Sequence, residues 1–170
     1  MGGSGAARSA QELNGLDDDE QAAWSSYLDA ALRLYATLNR RLTDGHRLSL
    51  HDVRLLAILD HSESGSARMG DLAEQLLSLP SRVTRQIRRL ETAGLVRREA
   101  SPDDRRGVLA SITGAGRAAV DDAMATYVDG VREGFLRPLT RPQVASMGEN
   151  SRRLSAAMRA SGPGVKFGRP

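Results

Sequence analysis

Six arginines lie between residues 80 and 98, at positions 82, 85, 88, 89, 97 and 98, against a single acid, Glu91. The arginine guanidinium is a planar fork of donors that matches a phosphate or the edge of a guanine. Val83, Ile87 and Leu90 recur at i, i+4, i+7, which is one face of a helix. At 100° per residue, Ser81, Arg82, Arg85, Arg88, Arg89 and Thr92 fall on the other face. Proline costs about 3 kcal/mol or more in a helix interior but is tolerated in the first turn. The helix is therefore expected to start at or just before Pro80, with Ser78 or Leu79 as its cap, and to stop at Gly94 through a left-handed residue. A helix buried along one side with four arginines on the other suits nucleic acid. Such a basic patch is the electrostatic footprint of a phosphate-binding surface.

The whole chain is nearly balanced, with a formal net charge of +3 over 170 residues. Lys166 is the only lysine. A GC-rich genome accounts for that ratio, since arginine codons can be GC-rich and lysine codons cannot. It does not account for where the arginines sit.

Several elements must position the basic helix. Before it, a short helix at about 70–77 carries Leu72, Ala73 and Leu76, and a three-residue connection, Leu77–Leu79, joins the two. Two short helices with a tight turn, the second basic, form the helix-turn-helix pattern. After Gly94, residues 95–98 and 108–112 alternate as strands. Val96, Val108, Ala110 and Ile112 point one way, and Arg97, Leu109 and Ser111 the other. Their charged tip, 99–107, makes the hairpin a wing. Upstream, Ser49 and Asp52 resemble an acidic capping box for a helix over about 50–61, with Val53, Leu55, Leu56 and Leu59 inward. Residues 43–48 read as a turn, and 61–67 as a loop.

Long helices flank this unit. Asp17 to Glu20 open one over roughly 18–43, with Trp24, Leu28, Ala31, Tyr35, Leu38 and Leu42 in a stripe widened by Tyr27, Leu32 and Leu34. Thr113 caps another over about 114–136, with Val120, Met124, Tyr127, Val128, Val131 and Phe135 inward. Thr140 and Gln143 open a last one over about 141–159, striped by Val144, Met147, Ser151, Leu154 and Met158. A DNA-binding unit of about 65 residues is too small to cover these stripes. Each wet Leu or Phe forgoes about 1.5–3 kcal/mol, so a second copy is expected to cover them.

Other function classes lack residues. There is no cysteine, which removes disulfides and thiolate chemistry. His46, His51 and His61 are not at i, i+4 spacing, so neither a metal nor another cofactor is expected. No Gly-rich phosphate loop follows a strand and no nucleophile is paired with a base, so the chain does not read as an enzyme. No apolar run approaches ~18 residues, and the N-terminus lacks a secretory pattern. Cytoplasmic residence with no membrane partner is expected.

The order of these elements resembles the MarR family of winged helix-turn-helix transcription regulators. The similarity rests on Gly70-Asp71-Leu72-Ala73-Glu74-Gln75-Leu76, on Leu90-Glu91-Thr92-Ala93-Gly94-Leu95-Val96, on Pro102-Asp103-Asp104-Arg105-Arg106, and on Ile112-Thr113-Gly114-Ala115-Gly116. It spans about 20–160. One departure is Leu79-Pro80 at the start of the basic helix, where the family more often has polar residues. The implied fold is mainly α with a small β-hairpin wing, flanked by long dimerisation helices. The implied partners are a second copy of the chain and a double-stranded, pseudo-palindromic operator. The resemblance makes Ser81, Arg82, Thr84, Arg85 and Arg88 the major-groove residues and Arg105 or Arg106 the minor-groove residue. Arg68 becomes a phosphate contact, and Asp104 the group that orients a wing arginine. The family default is a repressor released by a small aromatic or phenolic acid, for which Trp24, Tyr27, Leu28, Tyr35, His51 and Arg54 are the candidates. The alternative is an effector-independent regulator or architectural protein. The expected organisation is a flexible arm over 1–15, a dimerisation helix within 16–48, the winged unit over 49–113, dimerisation helices over 114–160 and a flexible tail over 161–170.

Overall fold

The structure, a computed structural model, describes residues 13, 15–100 and 107–160. Most of the expected arm, the expected tail and the wing residues Asp104, Arg105 and Arg106 lie outside the described residues. Those described fall into two units, one ending at Tyr127 and one beginning at Val128.

The first unit opens with α1 (Asp18–His46). Asp17 Oδ1 accepts from the Glu20 N–H and the Glu20 carboxylate accepts from the Asp17 N–H, at 2.8 and 3.0 Å. The helix continues through Gly45, where a turn is expected from Thr43-Asp44-Gly45. A distant contact holds the extra turn: His46 meets Asp122 Oδ2 at 3.0 Å and Thr126 Oγ1 at 2.8 Å. It ends on Arg47 in the left-handed region, φ 57°. After it come α2 (Leu50–His61), β1 (Ser66–Arg68), α3 (Met69–Gln75), α4 (Pro80–Thr92), β2 (Val96–Ala100), β3 (Val108–Ile112) and α5 (Gly114–Val131), whose residues up to Tyr127 belong to this unit.

The core gathers Leu38 and Leu42 of α1, the apolar face of α2, Leu72 and Leu76, Val83, Ile87 and Leu90, Val96, Ala110 and Ile112, and Val120 and Ala123 of α5. The sheet corrects the expected two-stranded hairpin. It has three antiparallel strands in the order β1-β3-β2. Ser66–Arg68, expected within or beside a loop, pairs along the far edge of β3, with Ala67 opposite Ala110. A three-residue strand of small and charged residues has no periodicity of its own, and only its partner makes it a strand. The same pairing explains the mixed faces of β3. It is the central strand, so Ser111 is buried and finds a partner in Ser66 Oγ at 2.8 Å.

The two turns around α4 are both left-handed caps. At its C-terminus Gly94 adopts φ 73°, Leu95 N–H donates to Leu90 O and Gly94 N–H to Glu91 O, each at 2.9 Å. This is the Schellman pairing that satisfies orphan carbonyls. At the end of α3 the same pairing occurs, Ser78 N–H to Ala73 O and Leu77 N–H to Glu74 O, but the left-handed residue is Leu77 at φ 50°. Leu77 is 90% exposed, so no packing offsets the cost of that conformation. α3 therefore stops at Gln75 rather than 77.

α5 starts where Thr113 Oγ1 accepts from Gly116 N–H at 3.0 Å and donates to Gly94 O at 2.7 Å. Gly116 is needed for closeness: a Cβ there would run into the Leu95 carbonyl oxygen and the Ile112 side chain. In the second unit the last turns of α5 pass into a π-helical segment, Arg132–Leu136, where an uninterrupted α-helix to 136 is expected. α6 (Arg141–Ala160) follows, with the Gln143 side chain accepting from Thr140 N–H and Oγ1 at 2.8 and 2.9 Å.

Two substitutions test these turns by thermal unfolding. Leu77→Gly should raise stability by about 1 kcal/mol by relieving the left-handed leucine. Gly116→Ala should lower it by about 1–3 kcal/mol through overpacking.

Candidate nucleic-acid interface

α4 is the element that presents the basic residues. Pro80 occupies its first turn, and its cap is Leu79, which offers no side-chain acceptor. Val83, Ile87 and Leu90 are fully buried, and together they seat the helix on α3 and the sheet. Ser81, Arg82, Arg85 and Arg88 are exposed on the other side. Thr84 is half-buried and donates its hydroxyl to Pro80 O at 2.9 Å, leaving only its lone pairs for a partner. Arg68 is exposed at the end of β1, where it precedes α3.

The six arginines of 80–98 divide into two groups of three. Arg98 pairs with Glu91 at 2.8 Å and so ties β2 to α4. Arg97 pairs with Glu99 at 2.7 Å within β2. Arg89, placed by its angle on the outward face, turns back and pairs with Asp52 of α2. Arg82, Arg85 and Arg88 make no ion pair with any described residue. At i, i+3, i+6 they form a row along α4, a continuous cationic surface that suits an anionic partner.

Asp52 is a residue of this surface's support that the spacing did not single out beyond its capping role. It is fully buried. Oδ2 accepts from Ser49 N–H at 2.8 Å and Ser49 Oγ at 2.6 Å, which closes the capping box of α2. Oδ1 accepts from Gln86 Nε2 at 3.0 Å and from Arg89 Nη2. Burial alone would push this carboxyl up. The hydrogen bonds from Ser49 and Arg89, with the Arg89 charge, outweigh that and hold it below the ordinary carboxylate value. The only sign in the sequence was an acid at the third position of an apolar helix with Gln86 and Arg89 three apart on another.

The effector candidates do not converge on one point. Trp24 and Tyr27 meet in a tilted arrangement at a centroid distance of 6.1 Å. Tyr35 joins His51 instead, with its hydroxyl 2.7 Å from Nδ1 and the rings 5.7 Å apart. Trp24 and Tyr35 are separated by about 16 Å of helix rise. Leu28 and Arg54 are exposed. A cavity of about 340 Å³ does open between α2 and α4, lined by Ser49, His51, Asp52, Arg82, Arg85, Gln86 and Arg89.

Comparison with known proteins now bears on the chain. The MarR family model matches residues 48–108, from just before α2 to the first residue of β3. AbsC, a MarR family transcriptional regulator from Streptomyces coelicolor, is 31% identical, with a TM-score of 0.81 over 87% of this chain and 99% of that one. The chain belongs to the MarR family. A second MarR family regulator of Streptomyces coelicolor, solved in complex with DNA, is 34% identical with a TM-score of 0.81, over 84% and 93% of the two chains. BpsR of Bordetella bronchiseptica is 22% identical with a TM-score of 0.69, over 79% and 98%, a likeness of fold. No curated protein matches the sequence. As a member of this family the chain is a DNA-binding transcriptional regulator with a winged helix-turn-helix. No described helix is long and apolar enough to cross a membrane.

The Asp52 site has a pH signature. Its folded pKa lies below the unfolded value, so on acidification the unfolded chain takes up the proton first. The stability it contributes is complete above about pH 4 and is lost as pH falls through that value toward the lower folded one. Asp52→Asn should lower stability at pH 7 by about 2 kcal/mol, less than for an enclosed pair because Arg89 keeps half its side chain in water. It should also flatten the decline of the melting temperature below about pH 4.

Proposed function

We propose that the chain acts in the cytoplasm as a homodimeric repressor that holds a pseudo-palindromic operator and lets it go when a small aromatic or phenolic acid binds. The observation that carries the DNA reading is the row of Arg82, Arg85 and Arg88, without an ion pair among the described residues, on a helix whose opposite face is fully buried. Ser81 and Thr84 lie beside that row and Arg68 at the edge of the sheet. Arg105 or Arg106 reaches the minor groove, with Asp104 orienting it, as the family motif implies. Arg97 pairs with Glu99 within the wing and Arg98 with Glu91 of α4, which leaves the tip arginines as the wing's proposed DNA contacts.

Dimerisation is supported by exposed apolar residues in each unit. On α1, Trp24, Tyr27, Leu28, Leu32 and Tyr35 are 39–60% exposed along one stripe. In the second unit Leu154 and Met158 are 52% and 67% exposed on α6. A monomer that left these wet would forgo about 1.5–3 kcal/mol for each large side chain.

The effector reading is supported by the cavity between α2 and α4. Its volume suits a single-ring acid, His51 and three arginines line it, and Tyr35 stands behind His51. An anion seated there takes Arg82 and Arg85, the same groups the operator needs. Competition of this kind couples ligand to DNA without any long-range movement.

Three measurements test the proposal. Operator affinity should fall steeply with salt, with a log–log slope of roughly −0.9 for each phosphate that an arginine neutralises. A flat response would remove the α4 surface from the interface. Arg85→Ala should relax base preference at one position by about 1–3 kcal/mol, whereas Arg106→Ala should weaken binding with the fold intact. In sedimentation, Leu32→Glu should shift the protein from dimer to monomer. A wild-type chain that sediments as a folded monomer would overturn the role given to α1.

A further inference from the structure

Among the described residues Asp52 is the only charged side chain with no exposure. A buried ion pair is a weak source of stability, because desolvation cancels most of its attraction. What it does supply is direction. The apolar contacts of Val83, Ile87 and Leu90 hold α4 against the core but resist rotation about its axis only weakly. Gln86 and Arg89 lie three residues apart on one face of α4, and both donate to the same oxygen, Asp52 Oδ1. Two donors from successive turns meeting at one buried acceptor leave the helix a single angle.

The acceptor is itself anchored. Its other oxygen is held by Ser49 N–H and Oγ. The same first turn of α2 is bonded to α1: Leu50 N–H donates to Asn39 Oδ1 at 3.0 Å, and Tyr35 meets His51 at 2.7 Å. Asp52 thus connects α4 to a turn that α1 fixes from behind. A rotation of α4 by about 10° would carry an extended guanidinium, on the order of 9 Å from the helix axis, through about 1.5 Å. That displacement breaks a hydrogen bond to a base edge but is tolerated by a diffuse phosphate contact.

We propose that Asp52 is a positioning residue for operator recognition: by holding Gln86 and Arg89 it sets the angle at which α4 presents Arg82 and Arg85 to the bases. The proposal rests on α4 entering the DNA. Arg89 acts here through Asp52 rather than by touching DNA.

The test compares a duplex that the wild-type protein selects from a random pool with a scrambled duplex of equal length, at one salt concentration and well below each variant's melting temperature. Asp52→Asn and Arg89→Gln should each weaken binding to the selected duplex about tenfold and to the scrambled duplex less than twofold. The double variant should be no weaker than either single one, and Arg89→Lys should recover most of the loss. An equal loss on both duplexes would overturn the proposal, since it marks a phosphate contact or general loosening. So would additive losses in the double variant, which mark a direct contact by Arg89. Should Asp52→Asn fail to fold, Arg89→Gln and Arg89→Lys still decide the matter, because Arg89 is 54% exposed and leaves no cavity. If Arg85→Ala leaves the selected-duplex affinity unchanged, the placement of α4 on DNA fails and this proposal falls with it, whereas a loss with Arg85→Ala but none with Asp52→Asn and Arg89→Gln overturns the role of Asp52 alone.

Discussion

A recognition helix has two duties that conflict. One face must be dry enough to hold the helix in a core, and the other must keep several like charges uncompensated in water until DNA arrives. In α4 the two faces belong to thirteen residues, and the separation between them is the constraint on which the rest of the winged unit depends. Val83, Ile87 and Leu90 meet the first duty, Arg82, Arg85 and Arg88 the second. Arg89 sits at the boundary and is drawn inward by a buried carboxylate, and Arg98 is drawn to Glu91. Those pairings do more than neutralise charge. They join α4 to α2 and to β2, so the arginines that remain unpaired are carried on a helix fixed from two sides.

The surrounding elements make sense as supports for that helix. α3 and the left-handed Leu77 set the turn into Pro80. Gly94 and Thr113 lock its far end to the start of α5, since the Thr113 hydroxyl binds the Gly94 carbonyl and caps α5 at once. β1, a strand of three residues, completes the sheet edge and buries Ser111. Each is a short local device, and with no cysteine in the chain none of them relies on a disulfide.

Charge placement also relates DNA binding to effector binding. The cavity between α2 and α4 is lined by Arg82 and Arg85, two of the arginines proposed to meet the operator. In the function proposed above, a ligand there and a phosphate backbone would compete for the same cations, which is a simple physical route to release. The aromatic residues of α1 contribute differently from what their spacing suggested. Trp24 and Tyr27 form one cluster, Tyr35 joins His51 in another, and Leu28 and Leu32 between them stay exposed.

Much of this was legible in the chain itself. The start of α4 at Pro80, its stop at Gly94, its buried triad and the capping boxes of α1 and α2 are all local, set by backbone sterics and by hydrogen bonds three or four residues long. Family membership was legible for the same reason, since its motifs are those local signals in order. What tertiary structure decided was which charges are spent. Periodicity placed Arg89 outside and made Asp52 a cap; only the approach of α2 to α4 showed that they meet, that Asp52 is dry, and that three of six arginines remain for DNA. The strand at Ser66–Arg68 and the extra turn ending at His46 were decided the same way, by partners more than forty residues distant in the chain. A local pattern states which face a residue is on; whether that face meets water, a sheet edge or an opposite charge is a property of the packed molecule.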